Sequence, residues 1–182
     1  QEAAFRTEVR AFLAANAEPK KRGVPARARH VDAEALARAK RFQAAKHDAG
    51  LVGITWPKEW GGRELSQIFQ VIYNQEEEAY AVPRGVFEIG LGMCIPTMMA
   101  YATPEQLKRY VPKALHGDEV WCQLFSEPAG GSDVAAVRTR AEKIEGGYRL
   151  KGAKMWITNS PIADVFVVWA KSDAHDGAIR GF

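Results

Sequence analysis

The chain has 182 residues, 47% of them hydrophobic and 26% charged, with 16 glycines and 9 prolines. That is ordinary globular usage; it excludes collagen-like, mucin-like and disordered chains, and the length excludes a mini-protein held together by disulfides. A formal net charge of +3 is too small to mark a nucleic-acid binder. The longest apolar stretch, 86–102, is interrupted by Glu88, glycines, a proline and Thr97, so no segment reads as a membrane span of about 20 apolar residues. Gln1 and Glu2 open an amphipathic pattern rather than a basic-then-apolar leader, and the expected compartment is the cytoplasm.

Phe5, Val9, Phe12 and Leu13 recur at the spacing that gathers side chains on one helix face, predicting an amphipathic helix that ends near Asn16. Lys20, Lys21, Arg22, Arg27 and Arg29 cluster without interleaved aromatics, which reads as a solvated loop rather than a phosphate-binding surface. Asp32 opens a second, alanine-rich helix closed by Gly50. WPKEWGG, at 56–62, carries helix breakers and two tryptophans that need burial, so an ordered loop packed on the helices is expected. Ser66 is expected to cap a third helix with Ile68, Val71, Ile72, Gln75 and Ala79 at helical spacing. Its Glu76, Glu77 and Glu78 point in different directions, which reads as a solvated face rather than paired catalytic carboxylates. Phe87, Ile89, Leu91, Met93, Ile95, Met98 and Met99 are apolar on too many sides for a surface helix, predicting a central buried one. Thr103, Pro104 and Gln106 form a helix start, and that helix is expected to stop before Pro112.

The chain changes character at 116–119, which sets the expected boundary between an all-α domain at 1–118 and a β domain at 119–182. Branched and aromatic residues predict strands at 120–127, 137–144, 147–159 and 165–171, with a hairpin turn at Gly146 and Gly147. A further strand begins at Ile179 and is cut off at Phe182, which suggests a piece of something longer. The expected fold class is α+β, an N-terminal helical domain followed by an incomplete antiparallel β-barrel or sheet.

His30, His47, His116 and His175 are scattered, and no metal site is expected. Cys94 and Cys122 lie in apolar surroundings and read as buried, reduced thiols. Ser126 is followed by Glu and Pro, and Ser132 lacks a flanking glycine frame, which disfavours a serine hydrolase. The informative stretch is WCQLFSEPAGGSD, 121–133. Its small residues let backbone N–H groups turn toward an anion, and Ser126 and Ser132 add hydroxyls, although a plain strand connection has the same composition. No lysine follows the glycines, so a P-loop fails. In KMWITN, 154–159, Trp156 and Thr158 would share one strand face and suit a flat heteroaromatic ligand; a core tryptophan beside a routine threonine is the alternative.

Together WPKEWGG, YATPEQ at 101–106, SEPAGGSD and KMWITN resemble the acyl-CoA dehydrogenase family, in that family's order and at about its separations, over nearly the whole chain. The resemblance implies a helical domain, a middle β domain and a C-terminal helical bundle. It implies FAD across the β domain, with Gln123, Leu124, Phe125, Ser126, Gly131 and Ser132 as the flavin-side wall and Trp156, Ile157 and Thr158 against the isoalloxazine. Ser132 also matches a position that touches the coenzyme A portion of the substrate. The implied chemistry is removal of the α proton of an acyl thioester by a glutamate, with the β hydrogen passing to the flavin as hydride. The family's base normally sits in the C-terminal bundle, so no catalytic residue is assigned and the chain alone is expected to be inactive. An electron-transfer flavoprotein and a homo-oligomer are the implied partners. WITNSPIADVFVVWAK and IRGF look like glutaryl-CoA dehydrogenases, whereas WPKEWGG and WCQLFSEP look like broader bacterial acyl-CoA dehydrogenases. Arg84 falls near the arginine that pairs with the distal carboxylate in glutaryl-CoA enzymes; a surface loop cation is the alternative. A non-catalytic interaction module of the same fold is the remaining alternative.

Overall fold

The computed structural model describes residues 1–21 and 31–182. Arg22, Arg27, Arg29 and His30 lie outside the described residues, and Lys20 of the same basic stretch pairs with Glu78 at 2.6 Å. The chain forms two compact units, Gln1–Asp118 and Glu119–Phe182. Among the described residues no helix is long and apolar enough to cross a membrane.

In the first unit, α1 (Glu2–Asn16) buries Phe5, Val9, Phe12 and Leu13, the four residues its periodicity selects. They join Leu51, Ile54, Ile72 and Tyr73 in one cluster, each large side chain contributing about 1.5–3 kcal/mol by leaving water. Helix α2 (Ala33–Asp48) starts where the Asp32 carboxylate accepts the Ala35 N–H at 2.7 Å. The WPKEWGG loop is folded on itself, Gly62 N–H donating to the Pro57 carbonyl and Glu64 N–H to that of Trp56, with both tryptophans half-buried.

Helix α3 (Gln67–Glu77) begins after Ser66, whose side chain makes no capping hydrogen bond. Its buried residues are Ile72 and Tyr73, while Ile68 and Val71 are exposed. The three glutamates do take different directions; Glu78 is exposed as expected, but Glu76 and Glu77 are mostly covered. Glu76 accepts from Arg6 and, at 2.7 Å, from Arg10 of α1. Glu77 accepts the Tyr73 hydroxyl at 2.8 Å, with Lys46 and Arg84 beside it. These pairs tie α3 to its neighbours, which explains why residues 76 and 77 need carboxylates at mostly covered positions.

Two short strands, β1 (Glu18–Pro19) and β2 (Tyr80–Ala81), pair antiparallel. The apolar stretch that follows departs from the expected central buried helix. It is a π-helical turn, Gly90–Cys94, running into α4 (Ile95–Tyr101). Cys94 and Ile95 are buried, whereas Met93 is 47% and Tyr101 87% exposed. Phe87 is buried as well, and Ile89, Leu91, Met98 and Met99 are half-buried.

Helix α5 (Pro104–His116) has the reciprocal Thr103–Gln106 capping box its first residues predict. It does not stop before Pro112, which sits inside it. The helix continues because Val111, Ala114 and Leu115 are buried, and that burial outweighs one missing backbone donor on an exposed position. Pro112→Ala is therefore expected to raise the stability of this unit by about 1–2 kcal/mol in urea unfolding.

The second unit holds β3 (Trp121–Leu124), β4 (Arg140–Ile144), β5 (Gly147–Lys151), β6 (Val165–Ser172) and β7 (Ile179–Gly181). The sheet is mixed rather than antiparallel, and it is open. β6 pairs in parallel with β3 (Trp121↔Val165 to Leu124↔Val168) and with β4, and antiparallel with β7. Only the β4–β5 hairpin, with Ile144 opposite Gly147, is joined by a tight turn; the long connections into β6 allow parallel entry. Cys94 and Cys122 are both buried.

Candidate functional site

The stretch 121–133 starts as β3, whose Trp121 and Cys122 are buried inside the sheet unit. Burial pushes the Cys122 thiol up to about 11, so it stays protonated and unreactive near neutrality. Gln123, Leu124, Phe125 and Ser126 are half-buried. The Phe125 ring lies flat on Trp169 of β6, centroids 4.8 Å apart and planes 9° from parallel. The chain then turns, with Glu127 N–H donating to the Gly130 carbonyl at 2.9 Å and Gly130 N–H returning to that of Glu127 at 3.1 Å. Gly131 and Ser132 follow on the exposed rim.

The expected strand at 147–159 ends at Lys151. Trp156 and Thr158 do not share a strand face, because Trp156 and Asn159 adopt φ of +59° and +68°, which is incompatible with extended backbone. The segment is instead a looped connection pinned to 125–127. Met155 N–H donates to the Ser126 carbonyl at 3.0 Å, and Lys154 Nζ donates to the carbonyls of Phe125 at 3.1 Å and Trp169 at 2.7 Å. Trp156 is left 88% exposed. A left-handed φ at a bulky residue costs about 1–2 kcal/mol, and the surrounding bonds hold it there.

Under this surface lies a buried ion pair. Lys154 Nζ sits 3.0 Å from Glu127 Oε1, with side chains 8% and 6% exposed. The same carboxylate accepts the Thr139 hydroxyl at 2.5 Å and the backbone N–H groups of Arg138 at 2.7 Å and Thr139 at 2.9 Å. Burial alone would raise the Glu127 carboxyl, but these hydrogen bonds and Lys154 outweigh it and hold it at about 2. Gly152 permits the arrangement: a Cβ there would stand 2.3 Å from Thr139 Oγ1 and 2.7 Å from its Cα, displacing the hydroxyl that Glu127 uses.

The structure thus ties Phe125 and Ser126 to the 154–158 segment that carries Trp156, Ile157 and Thr158, through Lys154 and Met155; Gln123 and Leu124 precede them at the end of β3. Gly131 and Ser132 lie on the continuation of the same loop. Arg84 belongs to the helical unit, where its guanidinium meets Glu77 at 3.1 Å and Glu78 at 3.0 Å. It borders an open cavity of about 480 Å³ lined also by Phe42, Lys46, Glu77 and Glu88. Burial lowers the Lys46 ammonium from its usual range, with Glu77 opposing. Sequence reasoning missed the Glu127–Lys154 pair. Its signal was the lone lysine of KMWITN and the two acidic residues of SEPAGGSD, Glu127 and Asp133, of which Glu127 is the partner.

A helical unit followed by a unit with an open mixed sheet, whose long connection presents an indole beside a serine- and glycine-bearing loop, defines a two-unit α+β protein. Residues 1–118 match the acyl-CoA dehydrogenase N-terminal domain and residues 122–182 the acyl-CoA dehydrogenase middle domain. The chain belongs to the acyl-CoA dehydrogenase family. It is 39% identical over 135 residues to a mitochondrial 2-methylacyl-CoA dehydrogenase of Solanum tuberosum, covering 72% of this chain and 32% of that protein. It is 34% identical over 174 residues to acyl-CoA dehydrogenase IpdE1 of Mycobacterium tuberculosis, covering 93% of this chain and 44% of the relative. Among solved structures, the ChsE4–ChsE5 complex of Mycobacterium tuberculosis superimposes with a TM-score of 0.76 at 26% identity, over 98% of this chain and 44% of that one. A glutaryl-CoA dehydrogenase of Mycobacterium smegmatis in complex with FADH2 superimposes with a TM-score of 0.67 at 26% identity, over 100% of this chain and 44% of that one. The chain therefore spans under half the length of these relatives.

Proposed function

We propose that this chain forms the helical and middle domains of an FAD-dependent acyl-CoA dehydrogenase that oxidises an acyl thioester between its α and β carbons. The single observation that carries the reading is Trp156: an exposed indole held in a strained backbone conformation and bonded, through Met155, to the loop that bears Ser126. The residues present fit a flavin. Trp156 offers an aromatic face, Ser126 and Thr158 offer hydroxyls, and the 123–126 backbone offers polar groups at a half-buried strand end. Ile157 supplies an apolar contact, and Gly131 with Ser132 extends the wall toward the coenzyme A portion of the substrate. When bound, FAD supplies the hydride acceptor for the β hydrogen.

The chain's own contribution is rigidity. Lys154 holds the carbonyls of Phe125 and Trp169 and the Glu127 carboxylate at once, so the loop and the tryptophan segment cannot drift apart. That fixes the berth before ligand arrives, which is what orientation-dependent hydride transfer requires. Glu76, Glu77, Glu78 and Glu127 are all engaged in ion pairs, and none is offered as the base. Arg84 is the substrate-side cation that glutaryl-CoA would need, but Glu77 and Glu78 already hold its guanidinium and a distal carboxylate would be the third on it, which favours a simple acyl-CoA over glutaryl-CoA. An electron-transfer flavoprotein as acceptor and a homo-oligomeric assembly complete the proposal.

The test uses the full-length protein reconstituted with FAD. Anaerobic addition of a straight-chain acyl-CoA is expected to bleach the flavin absorbance, and glutaryl-CoA to do so poorly. A protein that never retains FAD would sink the reading; bleaching by glutaryl-CoA with release of carbon dioxide would reassign the substrate.

A further inference from the structure

We propose that His47, Asp48 and His116 form a site for a divalent transition ion of the zinc class, at the paired C-terminal ends of α2 and α5. The two histidines are 69 positions apart, and helix packing alone brings them together. Lys40 Nζ donates to the Asp118 carbonyl at 2.9 Å, and Gln43 Nε2 donates to the Leu115 carbonyl at 2.7 Å in the buried seam. Lys40, Gln43 and His47 lie at i, i+3 and i+7, one face of α2. The chain beyond α5 turns at Gly117, φ +90°, where a Cβ would stand 2.6 Å from Gln43 Cγ, and that turn sets Asp118 against His116. The frame is thus fixed by bonds that do not involve the ligands themselves.

The imidazoles meet edge to face, centroids 5.3 Å apart and planes at 81°. One ligand atom from each of His47, Asp48 and His116 lies within 4.8 Å of the others. His47 Nδ1 and Asp48 Oδ1 are 3.2 Å apart. Two ligands of a tetrahedral zinc with bonds of about 2.0–2.1 Å are separated by about 3.3 Å, so this pair already has the edge length of the coordination polyhedron. His116 Nδ1 is 2.7 Å from Asp118 Oδ1. That contact leaves Nε2 as the metal-binding atom and supplies the carboxylate that orients a ligating histidine. Two imidazoles and one carboxylate, with water in the fourth position, suit zinc or cobalt rather than magnesium or calcium.

The experiment titrates the 182-residue chain with cobalt(II) and then displaces it with zinc. The expected result is one ion per chain, the visible bands of four-coordinate cobalt, and an upward shift in melting temperature with zinc. His47→Ala and His116→Gln are each expected to weaken zinc binding by at least about a hundredfold, and Asp118→Asn by about 10–100-fold, while His175→Ala, in the other unit, leaves it unchanged. Circular dichroism checks that each variant is folded, and His47→Gln serves if His47→Ala is not. Absence of stoichiometric binding, or binding that survives both histidine substitutions, would overturn the proposal. None of these readouts depends on flavin or on turnover.

Discussion

Lys154→Met is expected to destabilise the sheet unit by about 3–5 kcal/mol, because it leaves the Glu127 carboxylate buried without its counter-charge. It also frees the carbonyls of Phe125 and Trp169 that Lys154 now satisfies. Removing both charges in Glu127→Gln/Lys154→Met is expected to cost less than the lysine change alone, since no uncompensated charge remains. Urea unfolding followed by tryptophan fluorescence measures both; a single-variant loss under about 1 kcal/mol would contradict the account. A pH dependence follows from the same group. The folded-state carboxyl of Glu127 lies at about 2, below the ordinary 4.5 of a glutamate. Its stabilisation is therefore fully present above the unfolded value and is lost as pH falls through the interval down to about 2. Glu127→Gln is expected to flatten that part of the acid-unfolding curve.

Trp156→Ala combined with Thr158→Val is expected to weaken FAD retention in the full-length protein by about tenfold or more, equivalent to about 1.4 kcal/mol. Trp156→Gly separates binding from folding. Its backbone accepts φ +59° without the side-chain penalty, so the apo protein is expected to gain about 1 kcal/mol while flavin affinity falls. Equilibrium dialysis and thermal unfolding read the two quantities independently. Opposite signs would mark the strain as serving the site; a loss of stability with unchanged retention would assign Trp156 to packing instead.

Much of the helical architecture was legible because local rules and tertiary packing agree there. In α1 the buried residues are those of the apolar stripe, and at Thr103 and Asp32 the capping oxygens do what their chemistry favours. Legibility failed where packing overrode a local signal. Pro112 sits inside α5 because its neighbours Val111, Ala114 and Leu115 are buried. The strand expected across 147–159 breaks because Trp156 takes a backbone region that no propensity scale assigns to a β-rich aromatic. Parallel pairing in β6 was hidden for a related reason: alternation along a strand reports which faces are covered, not the direction of the neighbour. In the candidate site, Trp156, Thr158 and Ser126 stood out as residue types, while Glu127 and Lys154 did not, since their significance is that they meet.

The position of β6 at the hub of the sheet dictates an order of assembly. β3 and β4 find their partner only after residues up to 172 have left the ribosome, some forty residues behind β3 at about 5–20 residues per second. The helical unit, whose contacts close within its own first 118 residues, is free to collapse seconds earlier. During that interval β3 and the β4–β5 hairpin wait with open edges, and the cations and anions along the hairpin, Arg140, Glu142, Lys143, Arg149 and Lys151, are the residues that discourage them from pairing with a stranger.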